Sequence, residues 1–200
     1  MIKTIEEMMS IEEELRRRIL ILDGAMGTKI QSLGLSADYY HCGRFVDWPI
    51  SLSGNNDVLS LTAPDVIAAI HREYIAAGAD IICTNTFSAN RISQHEYGCE
   101  EVCREMAFEG ARIARRVADE YSDSFSSSLT SRKVWVAGSM GPTSKSLTLP
   151  SDMADPTLRA TEFDAMAAAY REQAEALLDG GADMLLVETC FDALNAKAAL

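Results

Sequence analysis

Four short apolar runs, each ending in small or polar residues and each followed by a helix-length stretch, recur along this 200-residue chain. They are ILIL at 19–22, which runs into Asp23-Gly24, then DIICTNTF at 80–87, KVWVAGSMGP at 133–142 and ADMLLVET at 182–189. Short aliphatic runs without strict alternation read as strands covered on both faces, the condition of parallel strands joined by helical crossovers. Between them, apolar residues fall at helical spacing. Val66, Ile67, Ile70 and Tyr74 lie in a helix opened by Thr62 and Pro64 and closed by Gly78. Val102, Met106, Ile113 and Val117 mark a second helix from about Cys99 to Glu120, and Phe163, Met166, Tyr170, Ala174 and Leu177 a third, started by Asp155-Pro156. FDALNAKAAL at 191–200 begins one more. A weak internal repeat, AGADIICTNT at 77–86 against GGADMLLVET at 180–189, sets two strands two units apart, as expected if alternate strands occupy similar places. The order of elements predicts an α/β fold around a parallel sheet, either a barrel or a doubly wound sheet. Residues 1–18 are expected to form an N-terminal helix ahead of it.

A net charge of −12 argues against a nucleic-acid or anionic-membrane surface, which would need concentrated Lys and Arg. No stretch approaches the roughly 20 apolar residues of a membrane span. Glu6, Glu7, Glu12, Glu13 and Glu14 interrupt the N-terminal apolar residues that an export signal would keep together. A cytoplasmic protein is expected, with Cys42, Cys83, Cys99, Cys103 and Cys190 reduced. The segment 32–60, SLGLSADYYHCGRFVDWPISLSGNNDVLS, shows little periodicity and reads as a long, functional connection, and YSDSFSSSLTSR at 121–132 as a solvated one.

The strand ends Asp23-Gly24, Thr84-Asn85-Thr86, Gly138-Ser139 and Glu188-Thr189 all carry hydrogen-bonding groups. In an α/β barrel these ends share one face, so they point to one polar pocket. The turn Gly24-Ala25-Met26-Gly27-Thr28 can aim backbone N–H groups at an anion if its glycines take positive φ. Asp23 beside it disfavours a doubly charged phosphate but accepts from an ammonium group, and Glu188 offers a second acceptor. A carboxylate next to an ammonium is an α-amino acid. The plain alternative is that Gly24 and Gly27 form only a tight turn and Glu188 faces water.

LDGAMGT, the stretch from GRFVDWPISLSGNNDVLS through AGADIICTNTFSAN, VAGSMGPT and DMLLVETCFDALNAK together resemble the N-terminal homocysteine-binding domain of the cobalamin-dependent methionine synthases, within the homocysteine S-methyltransferase family. The resemblance runs from about residue 19 to the end and implies a (β/α)8 barrel of which four units, about half, are present. It places the amino-acid site on Asp23, the backbone of Gly24, Ala25, Met26, Gly27 and Thr28, Asn85, Ser139, Met140 and Glu188. It implies homocysteine as substrate, a zinc ion that activates its thiol, a methyl group carried on cobalamin, and cobalamin and folate modules as partners. Related enzymes using betaine or S-methylmethionine are the alternative, as is a non-catalytic half-barrel that associates with itself through open sheet edges.

The zinc cysteines of the family lie in motifs resembling GLNC and GGCC, and neither string occurs here. The resemblance therefore puts the zinc ligands beyond Leu200, and no metal ligand is assigned within residues 1–200. The chain by itself is expected neither to hold zinc tightly nor to turn over. His95, Cys99 and Cys103, at i, i+4 and i+8, offer a possible ligand set, but the spacing drifts around a helix and His95 precedes its start, so structural burial is the favoured reading. Cys83 reads as core and His71 as lying on a helix face. His41 and Cys42 read as loop residues at the surface or the pocket mouth, and Cys190, directly after Glu188-Thr189, as lying nearer the pocket than the His95, Cys99 and Cys103 set, though one thiol is not a zinc site.

Overall fold

In the computed structural model, which describes residues 10–124, 133–152, 154, 155 and 157–200, three strands form one parallel sheet. They are β1 (Ile81–Cys83), β2 (Trp135–Met140) and β3 (Met184–Val187), in that spatial order. Ile81 pairs with Trp135, and Ala137 with Met184. The 19–22 run adds a single bridge, Leu22 to Ile81, on the outer side of β1. Among the described residues eight α-helices accompany the sheet: α1 (Ile11–Arg17), α2 (Met26–Ser32), α3 (Leu59–Thr62), α4 (Pro64–Ala77), α5 (Arg91–Gln94), α6 (Cys103–Ser124), α7 (Phe163–Asp179) and α8 (Ala193–Ala199). The crossovers that deliver β2 and β3 are thus helical, as parallel pairing requires.

Local chemistry sets the helix ends. Ser10 and Glu13 form a reciprocal capping box on α1. Pro64 stands at the start of α4, and Gly78 ends it at φ 112°, a left-handed conformation that frees its N–H for Ile75 O and suits glycine. Thr62 does not cap α4; its hydroxyl donates back to Val58 O at 3.2 Å. Nor does α7 begin at Asp155-Pro156. Asp155 accepts from the amide and hydroxyl of Thr157, closing a local turn, and the helix starts at Phe163, which stays exposed. The 191–200 stretch is helical over α8, with Leu200 at its C-cap: the Leu200 N–H donates to Ala196 O at 3.1 Å while its side chain is exposed. Pro156 lies outside the described residues, as do 1–9 and 125–132, so half of the expected N-terminal helix and most of the serine-rich loop are not described; Tyr121 to Ser124 belong to the end of α6.

Ile67, Ile70 and Ile75 of α4, Met106, Ile113 and Val117 of α6, and Met166, Tyr170 and Leu177 of α7 bury against Ile82, Val134 and Val136. Each large side chain so buried contributes about 1.5–3 kcal/mol. The segment 32–60 is not a free loop. It carries 3₁₀ turns at Ala37–Tyr39, Gly43–Phe45 and Asn56–Val58, buries Phe45, Leu52 and Val58, and is pinned by Trp48 Nε1–H donating to Tyr97 O at 2.9 Å.

The internal repeat has a structural counterpart. Asp80 Oδ2 accepts the Ile21 N–H at 2.9 Å with Arg18 beside it, and Asp183 Oδ2 accepts the Val136 N–H at 2.7 Å with Arg115 beside it. Each repeat aspartate clamps the preceding strand at its entry. The expectation that every strand is buried on both faces holds only for β2. Ile19 is 83% exposed and Ile21 55%, and β3 is half-buried, because the side of each facing away from β2 meets no further strand among the described residues. No described helix is long and apolar enough to cross a membrane.

Candidate functional site

The C-terminal ends of β1, β2 and β3, with Asp23 beyond the Leu22 bridge, gather two carboxyls, a thiol and a hydroxyl. Backbone pairing of Asp23 N–H to Ile81 O at 2.9 Å sets the Asp23 side chain against β1, where its Oδ2 accepts the Cys83 N–H at 2.9 Å. Its Oδ1 is buried with no hydrogen-bond partner. Glu188 is positioned by its own N–H to Met140 O at 3.1 Å, and its Oε1 accepts from the Ser139 hydroxyl at 2.7 Å. Burial above all, with the charge of Glu188 adding to it, raises Asp23 to about 6 despite the Cys83 N–H.

Cys83 belongs to this cluster and not to the core. Strand alternation puts Ile82 into the helix-covered face and Cys83, half-buried, on the other. Burial, then the carboxylates of Asp23 and Glu188, push its thiol far above the ordinary range. Sequence reasoning placed it in the core because alternation alone does not tell which face is inward. Cys190 lies beside the Tyr170 hydroxyl, which also donates to Gly141 O at 3.0 Å; burial and Cys190 together raise the phenol.

The structure brings together Asp23, Ser139 and Glu188 of the residues singled out in the sequence. Asn85 and Met140 are differently employed. The Asn85 amide donates to Asn56 O at 2.7 Å and Ser60 Oγ at 3.2 Å, holding the 56–60 segment on β1, and the Met140 side chain is wholly buried in the core. Nor do Gly24 and Gly27 take positive φ, so the glycine nest does not form. The chain instead enters α2 directly from Ala25. The Met26, Gly27 and Thr28 amides precede its first intrahelical bond, Lys29 N–H to Ala25 O at 3.3 Å. Gly24 is small for another reason: a Cβ there would lie 2.9 Å from the Tyr74 ring, whose hydroxyl donates to Ala25 O at 3.1 Å.

Two polar clusters that the motifs did not flag hold the surrounding loops. Asp57, buried and raised to about 6 by that burial, accepts the Ser88 N–H at 2.9 Å. Asp192 caps α8 through the amides of Leu194 and Asn195, and also accepts from Ser146 Oγ, Leu147 N, Thr148 N and Thr148 Oγ1. Burial opposes its ionisation, but these hydroxyls and amides hold it well below the usual carboxylate range. An Asp at an N-cap ahead of ALN, with serine and threonine crowded in TSKSLT, is the signal that could have found this latch.

The remaining histidines and cysteines are scattered. His95 is exposed and paired with Glu100, Cys99 is buried with its thiol on Tyr97 O, and the Cys103 thiol is 3.7 Å from Glu172 and pushed up to about 12 by burial and that carboxylate. His41 Nε2 accepts the Leu52 N–H at 2.9 Å, and Cys42 lines a cleft of about 460 Å³ with Arg44, Glu109 and Arg112, none of which belongs to the acidic cluster. The hydrogen bonds of His41 and Cys42 run to the backbone of Tyr39, Leu52 and Thr62 and not to the strand-end cluster. His71 is on a helix face, as expected, but that face is wholly buried. Among the described residues no three His, Cys, Asp or Glu side chains are disposed to hold a metal ion. Each thiol at the strand ends stands alone, one against two carboxyls and one against a phenol, and this donor set does not fit zinc.

A solved structure of the homocysteine methyltransferase MmuM from Escherichia coli, in its oxidized form, is similar to this chain with a TM-score of 0.68 and 25% identity, covering 92% of this chain and 57% of that one. Its metallated form gives 0.67 and 24%, covering 92% and 59%. The chain thus spans a little over half the length of the structures it matches. Residues 20–200 match the family model of homocysteine S-methyltransferase, so the chain belongs to the homocysteine S-methyltransferase family.

Proposed function

We propose that this chain is the amino-acid-binding part of a homocysteine S-methyltransferase built on a (β/α)8 barrel. The observation that carries the reading is the buried Asp23 Oδ1, which has no partner and shares its cluster with Glu188. A buried acceptor without a donor is costly, and two adjacent carboxyls repel; an ammonium group seated between them relieves both. The substrate carboxylate then lies toward the amides between Gly24 and Thr28, and Ser139 holds Glu188 in place. These residues bind and orient the amino acid, which leaves its side-chain thiol free to be delivered to a methyl donor.

Glu188→Gln in the full-length enzyme is expected to weaken homocysteine binding by roughly 1.5–3 kcal/mol, the worth of one charged hydrogen bond. Titration calorimetry in two buffers of different ionisation heat should also show a proton released near pH 6 as the ammonium forces Asp23 to ionise. Unchanged affinity in a folded Glu188→Gln protein rejects the assignment.

Cobalamin as methyl carrier, with cobalamin and folate modules alongside, is supported by the resemblance of the 43–60 segment; betaine or S-methylmethionine is the competing donor, and turnover with each supplied separately decides. The 200-residue chain alone is expected to keep no zinc through dialysis and to form no methionine from methylcobalamin; stoichiometric zinc with turnover would overturn this. A second reading, self-association, is favoured by Ile19 and Ile21 on one sheet edge and by Phe191, 71% exposed, after β3 at the other. A monodisperse monomer in analytical ultracentrifugation would exclude it.

A further inference from the structure

We propose that Gln173 of α7 is a positioning residue for amino-acid binding: it locks the ends of β1 and β2 together so that the Ser139 hydroxyl stays directed at Glu188. The inference rests on the reading of Glu188 given above. Gln173 is 1% exposed, and its Nε2 donates to Thr86 O at 2.7 Å and to Ser139 O at 3.4 Å; Thr86 lies three residues beyond β1 and Ser139 is the penultimate residue of β2. Its Oε1 is buried without a partner. A leucine would fill this place without an orphaned acceptor, so nothing in core packing asks for an amide here.

The bonds around Ser139 form a closed ring whose proton directions follow from counting donors. Ser139 N–H donates to Thr84 Oγ1 at 2.9 Å, and Thr86 Oγ1 donates its single proton to Ser139 O at 2.8 Å. The 2.6 Å contact between the two threonine hydroxyls must therefore use the Thr84 proton, with Thr86 accepting. The backbone N–H and C=O of Ser139 are thus both held by threonines that follow β1, and Gln173 ties the ring to α7 from behind. The Ser139 side chain, with its backbone fixed on three sides, gives its one proton to Glu188 Oε1 at 2.7 Å. Rotation of the backbone at Ser139 would take its hydroxyl from Glu188, leaving that carboxylate only the long 3.5 Å contact from the Thr189 hydroxyl.

The test uses the full-length enzyme. Gln173→Leu is expected to raise the homocysteine KM about 10-fold, with kcat at saturating homocysteine within about twofold of wild type and with little loss of thermal stability. Thr86→Val, which keeps the shape but removes the hydroxyl, should behave alike, and Thr86→Ser, which restores it, should rescue the KM. The threonine pair keeps the inference testable should Gln173→Leu misfold. Wild-type KM in folded Gln173→Leu and Thr86→Val, or Thr86→Ser as damaging as Thr86→Val, would overturn it while leaving the Glu188 reading intact. If Glu188→Gln itself leaves homocysteine binding unchanged, the amino-group reading fails and takes this inference with it.

Discussion

Removing the Asp192 carboxylate tests whether the loop after β2 is held by one buried anion. In Asp192→Ala the amides of Leu194 and Asn195 lose their cap, worth about 1 kcal/mol. Four further donors, Ser146 Oγ, Leu147 N, Thr148 N and Thr148 Oγ1, lose a bond to an ionised group, each of which is worth about 1.5–3 kcal/mol in isolation. These values do not add, because four donors share one oxygen and two amides keep a second acceptor: Leu147 N on Asn195 Oδ1 at 3.1 Å and Thr148 N on Ser146 Oγ at 3.2 Å. The net loss expected is about 3–5 kcal/mol, a large part of the roughly 5–15 kcal/mol of a typical domain. Asp192→Asn retains one acceptor oxygen and should lose about half as much. The folded pKa lies below the ordinary 3.8, so the unfolded chain takes up protons first on acidification. The stabilisation is therefore complete above about pH 4 and lost as pH falls below it. Urea unfolding followed by far-ultraviolet circular dichroism, at neutral pH and at several acid values, reads both effects. A loss under about 1 kcal/mol in Asp192→Ala, with the wild-type acid response unchanged, would refute the latch.

His71 is fully buried with neither ring nitrogen partnered, and burial lowers its pKa to about 4. Charging it in the folded state costs about 3 kcal/mol, so stability should fall as pH drops from 6.5 toward 4, and His71→Leu should abolish that slope while adding about 1–2 kcal/mol at neutral pH; equilibrium unfolding across that range checks it, and an unaltered slope counts against it. Ala at Gly180 places a Cβ 2.5 Å from the Phe108 carbonyl, where backbone must move, whereas Ala at Gly24 meets only the movable Tyr74 ring. Gly180→Ala should cost about 3 kcal/mol and Gly24→Ala about 1 kcal/mol in the same assay, and the reverse order would show that the α6–α7 contact yields more easily than the Tyr74 hydrogen bond.

What the amino-acid sequence determined by itself is local. Apolar spacing located β1, β2, β3, α4, α6 and α7, because burial of one helix face or of a short strand leaves a periodic trace in neighbouring residues. The polar strand ends announced where Asp23, Ser139 and Glu188 would meet, and the AGAD and GGAD repeat announced two aspartates in equivalent places. The tertiary structure decided everything that depends on partners far apart in the chain. It chose the acidic face for Cys83, buried His71, left the 19–22 run at an exposed edge, and gave Asn85 and Met140 to the scaffold. It also joined Gln173 to Thr86 and Ser139, and Asp192 to Ser146 and Thr148. A hydrogen bond or a buried face is a property of two surfaces brought together, and periodicity records only one of them.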